Sequence, residues 1–170
     1  MATDNLFDQA QLREAFGHFP SGVAAIAAHI DNQPHVIVAS SFSVGVSLEP
    51  PLAAFYVQNT SSTWPLLKQA PRIGVSILSY EHAAICRQLA SRDKNNRFNG
   101  VEWTSTPHGA IHLANASGWF DCSVYDVHSA GDHLAIQLLI HDLDTQKENT
   151  PLVFHGSEFV RIESQVASYA

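Results

Sequence analysis

Short turns, not helices, separate most of the apolar runs of this chain, and that limits the folds open to it. Gly22 to Ile30 and His35 to Ser40 are strand-like runs parted only by Asp31-Asn32-Gln33-Pro34, which is turn chemistry and predicts a hairpin. Leu52 to Val57 is a third run, entered through Pro50-Pro51, whose missing N–H groups suit a strand boundary. Arg72 to Leu78, Trp119 to His128 and His133 to Asp142 are further strands, the second carrying Phe120, Cys122 and Val124 on one face. Leu152 to Phe154 and Phe159 to Ile162 flank His155-Gly156-Ser157-Glu158, a second hairpin with Gly-Ser as its tight turn. Parallel strands need long crossovers, so turn-joined neighbours predict an antiparallel, mainly β barrel or sandwich.

Three short helices decorate that sheet. Gln9 to Phe16 spaces Leu12, Ala15 and Phe16 helically and ends at Gly17. Ser62-Thr63-Trp64-Pro65 opens a second helix, with a hydroxyl cap and a first-turn proline. Ser79 caps a third, from Tyr80 to about Ala90, with Ile85 and Leu89 on its apolar face. Ser91 to Gly100 reads as a polar, basic loop. No repeat and no linker divides the 170 residues, so one domain is expected over residues 1–170, with its core at about residues 10–162.

Charge and composition remove several functions. Nine Lys+Arg against 16 Asp+Glu give a net charge of -7, the wrong sign for gripping nucleic-acid phosphates. The apolar run Val23 to Ala28 is far below the roughly 20 residues that span a bilayer. The N-terminus, Met1-Ala2-Thr3-Asp4-Asn5, lacks the basic and apolar regions of a signal peptide. Two cysteines, Cys86 and Cys122, make neither a disulfide framework nor a four-thiolate zinc site. A reduced, cytoplasmic protein is the expectation, with no nucleic-acid or membrane partner. No Gly-x-Gly-x-x-Gly, P-loop or Gly-x-Ser-x-Gly elbow occurs. His108 and His112 have zinc-like spacing, but the Pro107 and Gly109 around His108 make a poor helix, so both read as surface or loop histidines and no metal is expected.

Three clusters have the chemistry to hold a phosphate-bearing cofactor. Ala39-Ser40-Ser41-Phe42-Ser43 ends a strand with small residues, which let a planar ligand approach the backbone, although a solvated loop has the same composition. Asn59-Thr60-Ser61-Ser62-Thr63 precedes a helix, and five amide or hydroxyl residues exceed what one cap requires. Arg92-Asp93-Lys94-Asn95-Asn96-Arg97-Phe98 gathers three of the nine cations, which suits an anionic ligand or a solvated loop.

The order of these segments resembles the flavin reductase-like family, the small components of two-component flavin monooxygenases. It is carried by Phe19-Pro20-Ser21-Gly22-Val23, Ala39 to Val44, Val46-Ser47-Leu48-Glu49-Pro50-Pro51-Leu52 and Ser61-Ser62-Thr63-Trp64. Arg97-Phe98-Asn99-Gly100-Val101 with Trp103, Ala130-Gly131-Asp132-His133 and Thr150 to Gly156 complete it over about residues 10–162.

The resemblance implies a split β-barrel binding FMN or FAD, a homodimer with the flavin near the subunit interface, and NADH- or NADPH-dependent reduction of flavin for a partner monooxygenase. It implies that Ala39, Ser40 and Ser41 lie along the isoalloxazine, and that Pro20, Ser21, Gly22 and Ser47 lie near the ring and ribityl chain. Asn59, Ser61, Ser62 and Thr63 match the phosphate-binding stretch, with Lys94 and Arg97 as the basic contribution, and the adjoining Phe98 is also expected at the cofactor. His133 matches the histidine of Gly-Asp-His, a residue on the nicotinamide side of the flavin that stacks or orients and donates no proton. Three positions depart from the pattern: Ser21 replaces a common Thr, Gly45 replaces a polar residue, and Ala24-Ala25-Ile26-Ala27-Ala28 is unusually small. A flavoprotein that keeps its flavin and reduces another acceptor, and a non-catalytic flavin-binding protein, are the alternative readings.

Overall fold

In a computed structural model, residues 7–163 are described. The main sheet has seven strands: β2 (Ala24–Ile30), β3 (Gln33–Ala39), β4 (Ser43–Leu48), β5 (Pro51–Gln58), β6 (Ile73–Ile77), β9 (Gly118–Ala130) and β10 (His133–Thr145). Their spatial order is β3-β2-β6-β9-β10-β5-β4, every described pair antiparallel, and the sheet does not close. β1 (Ser21–Gly22), β11 (Leu152–His155) and β12 (Glu158–Arg161) form a small second sheet, and β7 (Trp103–Ser105) pairs with β8 (Ile111–Leu113). This is the antiparallel, mainly β split barrel that the turns and the resemblance predict.

The hairpins follow from local chemistry. Asp31 and Asn32 both take positive φ (50° and 60°), as do Gly156 and Ser157 (58° and 66°), the backbone of two-residue turns that match strand twist. The run Gly22 to Ile30, expected as one strand, divides into β1 and β2 in different sheets, and three further strands were not expected. β4 is exposed along most of its length and interrupted by a register irregularity, with Gly45 at φ +69°. β7 and β8 are three residues each, too short for a periodic signal. His112, expected at the surface, is instead buried on β8, its ring stacked on Trp119 at 4.2 Å.

The small residues of β2 have a reason. Both faces of this strand are covered, so Ala24, Ala25, Ile26, Ala27 and Ala28 are all essentially buried. Ala24, Ile26 and Ala28 pack into a cluster with Phe55, Trp64 and Leu67, while Ala25 and Ala27 pack with Leu89, Ile111 and Leu113. Bulk from the neighbouring elements replaces bulk on the strand, at close-packed density. Gly74 on β6 continues the pattern, since a Cβ there would lie 2.0 Å from the Ile111 carbonyl oxygen.

The helices lie outside the sheet. α1 (Gln9–Gly17) begins with a reciprocal cap: Asp8 Oδ1 accepts from the Gln11 amide at 2.8 Å, and Gln11 Oε1 accepts from the Asp8 amide at 3.1 Å. None of its residues is buried, and its C-terminal end is tied down where the Gly156 amide donates to the Gly17 carbonyl at 2.8 Å. α2 (Trp64–Leu67) is a single turn that drives Trp64 and Leu67 into the barrel. The third helix starts as a 3-10 turn, Tyr80–His82, and continues as α3 (Ala83–Leu89).

Candidate functional site

The open side of the barrel brings the end of β3 across to β5. The chain leaves β3 at Ala39, crosses the gap and joins β5 as its outer neighbour β4. Ser41 fastens that crossing: its Oγ accepts from the Tyr56 amide and donates to the Tyr56 carbonyl, each at 3.1 Å. One side chain thus satisfies two backbone groups on β5.

Beside this clasp lies a groove of about 560 Å³. Its walls are Ala39-Ser40-Ser41 at the end of β3, Tyr56 and Gln58 on β5, Thr60-Ser61-Ser62 before α2, and His133 at the start of β10. Two of the three clusters picked out in the sequence therefore meet in space. The third reaches the rim, where Lys94 Nζ donates to the Ser62 carbonyl at 3.2 Å. The positive field of that loop is felt on β3, where His35 is lowered by burial first and then by the Lys94 and Arg97 charges.

Other residues marked in the sequence do structural work. Arg97 is half-buried and donates Nε to the Ser91 carbonyl (2.8 Å) and an NH to both the Val36 carbonyl (2.7 Å) and Thr63 Oγ1 (3.2 Å). It locks the basic loop to β3 and to the start of α2, and its Thr63 partner is buried. Phe98 sits against the core cluster, edge-on to Trp103 at 5.9 Å. The N-cap of α2 is Thr63, which makes no side-chain cap bond; Ser61 Oγ, two residues earlier, accepts from the Trp64 amide at 3.2 Å while also facing the groove. Asn59 Nδ2 donates to the Gly131 carbonyl at 3.2 Å, holding the end of β5 to the β9–β10 turn. Ser21 and Gly22 pair with Phe154 and Val153, and Ser47 lies opposite Leu52. Neither these three nor Pro20 lines the groove in a single chain.

His133 is held from one side. Its Nδ1 lies 2.7 Å from Asp132 Oδ1, which leaves Nε2 for a ligand. The same bond keeps the exposed Asp132 carboxyl below its ordinary pKa. The Asn59 amide donates to the Asp132 carbonyl at 2.9 Å, so the turn carrying the pair is anchored to the groove wall.

Sequence reasoning missed Tyr56 and Gln58. They are the outward members of an alternating strand, buried Phe55 and Val57 being the inward ones, and outward strand positions look like ordinary surface until a second segment covers them. A half-exposed Tyr next to the clasp was the available signal.

The groove fits a planar, phosphate-bearing cofactor. It has small side chains along one wall, hydroxyls and amides at the α2 end, a lysine at the rim and an imidazole opposite.

The comparisons with known proteins agree. The model of the flavin reductase like domain matches residues 16–163. A flavin reductase of Pseudomonas putida is 30% identical over 149 residues, 87% of this chain and 86% of that protein. The reductase subunit HsaB of a flavin-dependent monooxygenase from Rhodococcus jostii (strain RHA1) is 32% identical over 156 residues, 92% of this chain and 79% of that protein. Among solved structures, nitrilotriacetate monooxygenase component B from Mycobacterium thermoresistibile superposes with a TM-score of 0.87 at 28% identity, covering 96% of this chain and 93% of that one. The NADH:FAD oxidoreductase SgcE6 of Streptomyces globisporus, solved with NAD and FAD fragments, gives 0.87 at 27% identity over 94% and 95% of the two chains. A split barrel whose open side carries this groove, matched along nearly its whole length, belongs to the flavin reductase-like family.

Proposed function

We propose that this chain is an NAD(P)H-dependent flavin reductase that moves a hydride from the nicotinamide to FMN or FAD and supplies the reduced flavin to a partner monooxygenase. The observation that carries the reading is the convergence of Ala39-Ser40-Ser41, Ser61-Ser62 and His133 on one groove. The relatives named as reductase subunits or components of flavin-dependent monooxygenases support the partner.

A bound flavin would supply the hydride acceptor and the nicotinamide the donor, so the protein's task is placement and electrostatics. Ala39, Ser40 and Ser41 form the wall for the isoalloxazine, where the absence of bulk lets a ring lie on the backbone. Thr60, Ser61 and Ser62 face the phosphate end, with Lys94 adding charge. His133, steered by Asp132, stacks or orients on the nicotinamide side.

A second copy of the chain covers the β4–β5 edge in this reading. Val44, Val46, Leu48 and Tyr56 are exposed there, Leu48 at 88%, and an apolar edge strand left open is an aggregation hazard. Tyr56 belongs to both this surface and the groove, which supports a flavin site near the interface. A reducing cytoplasm suits Cys86 and Cys122, both free and buried; burial pushes them up to about 11 and about 12. Among the described residues, no helix is long and apolar enough to cross a membrane.

The test is oxidation of NADH and of NADPH by the purified protein, with and without added FMN or FAD. Oxidation that rises and saturates with free flavin supports the reading and names both cofactors. Bound flavin with no oxidation by either dinucleotide overturns it.

A further inference from the structure

His133 borders two hollows. The first is the groove described above. The second, of about 490 Å³, lies between α1 and the β5 end of the barrel and is lined by Gln9, Leu12, Arg13, Phe16, Gln58, Thr60, Asp132 and His133. Gln58, Thr60 and His133 are common to both, so the hollows meet at the imidazole.

The α1 residues that face this second hollow stand at i, i+3, i+4 and i+7, which is one face of a helix. That face buries nothing in the barrel. Phe16 is 69% exposed, and an exposed Phe adds little to the hold of α1 on the barrel. Arg13 is exposed, has no salt bridge among the described residues, and is the only cation lining either hollow. Lys94 stands at the rim of the other hollow, and Arg97 is bound to backbone carbonyls.

A dinucleotide whose nicotinamide lies at His133 must send its ribose, phosphates and adenine somewhere. The first groove is occupied by flavin in the functional reading above, on which this inference rests. The adjoining hollow offers a guanidinium for a phosphate, an exposed aromatic ring for a base, and amide and hydroxyl groups from Gln9, Gln58 and Thr60. Its charge is also graded along its length. Arg13 stands on the helix side, and Asp132 stands beside His133, where loss of hydride leaves a positive ring.

We propose that the hollow under α1 receives the phosphate-bearing part of the reduced nicotinamide dinucleotide, with Arg13 as its phosphate contact and Phe16 as the surface for adenine. The helix is then a substrate-binding element, and Arg13 a specificity-determining residue.

The experiment compares the full-length protein with its Arg13→Gln and Arg13→Lys variants. Calorimetry measures binding of NAD+, of NADP+ and of the flavin, and steady-state assays measure KM for NADH and NADPH. Arg13→Gln is expected to weaken dinucleotide binding about tenfold, in KM rather than kcat, with flavin affinity unchanged and Arg13→Lys recovering part of the loss. A loss confined to NADP+ and NADPH assigns the contact to the 2′-phosphate; an equal loss with both dinucleotides assigns it to the shared pyrophosphate. Unchanged dinucleotide affinity in an active, folded Arg13→Gln protein overturns the proposal, as does a loss of flavin affinity in its place. A wild-type protein that oxidises neither dinucleotide would overturn the flavin reductase reading itself, which separates the two failures.

Discussion

Ser41 and Tyr56 make a two-bond clasp across the open side of the barrel, the hydroxyl accepting from one backbone group and donating to the other at 3.1 Å each. The serine that the resemblance sets along the isoalloxazine thus already spends its hydrogen on the fold. Its contribution to a ligand is the position of the wall, not a donated proton. Ser41→Ala leaves the Tyr56 amide and carbonyl without this partner and is expected to cost about 1–2 kcal/mol in denaturant unfolding. Flavin affinity should fall with it, because the crossing segment is loosened. An alanine variant with wild-type stability would show that the clasp is not holding the groove.

His133→Ala tests the other wall. The imidazole is anchored by Asp132 and borders the groove without holding the strands together. The variant should keep its flavin affinity and lose about tenfold or more in kcat/KM for the dinucleotide, since a misplaced reactant is costly in hydride transfer. Fluorescence titration of the flavin and steady-state kinetics read the two separately. Equal losses in both would mean that His133 supports the flavin site itself.

Lys94 should act through charge alone. It is exposed and, among the described residues, bonds only the Ser62 carbonyl, at 3.2 Å, so Lys94→Gln is expected to weaken flavin binding about threefold to fivefold without changing stability. The gap between wild type and variant should narrow as salt is raised. Arg97→Gln should behave differently, reducing stability, because the Val36, Ser91 and Thr63 oxygens lose their donor.

That contrast shows what a sequence can and cannot reveal. Lys94 and Arg97 look alike in a basic loop, and only the fold shows that one faces the rim and the other is turned into the scaffold. The hairpins were legible because Asp31-Asn32 and Gly156-Ser157 are residues that tolerate positive φ between apolar runs. β4 was not, because Ser43-Val44-Gly45-Val46-Ser47 is exposed and irregular and carries no buried stripe. Phe98 sits within a motif beside the site, yet its ring packs on Trp103. The second hollow depends on where α1 docks, and no local pattern encodes that.

Gly74 provides a packing test away from the site. A methyl group there would meet the Ile111 carbonyl oxygen at 2.0 Å and its carbon at 2.6 Å, both backbone atoms with little room to move. Gly74→Ala should cost at least about 2 kcal/mol by forcing β6 and β8 apart. A thermal midpoint equal to that of the wild type would mean that β8 is free to shift.

Acid should destabilise the fold through buried histidines. His82 Nδ1 accepts from the Ser79 amide at 3.0 Å and its Nε2 donates to the Ala114 carbonyl at 2.9 Å, so the folded protein holds one neutral tautomer. A second proton would have to sit on Nδ1, facing that amide. Burial lowers the pKa of His82 accordingly, and that of His112 for the same main reason. The unfolded chain therefore binds protons at these sites before the folded one does. Above the ordinary histidine pKa of about 6.5 both states are neutral and nothing is lost. As pH falls below it, the unfolded state gains protons first, and stability declines until the depressed folded values are reached. Urea unfolding at a series of pH values should show this decline below neutrality. His82→Gln, which cannot titrate, should be less stable than wild type at neutral pH and lose less on acidification. An identical pH slope in the variant would assign the acid sensitivity to other groups.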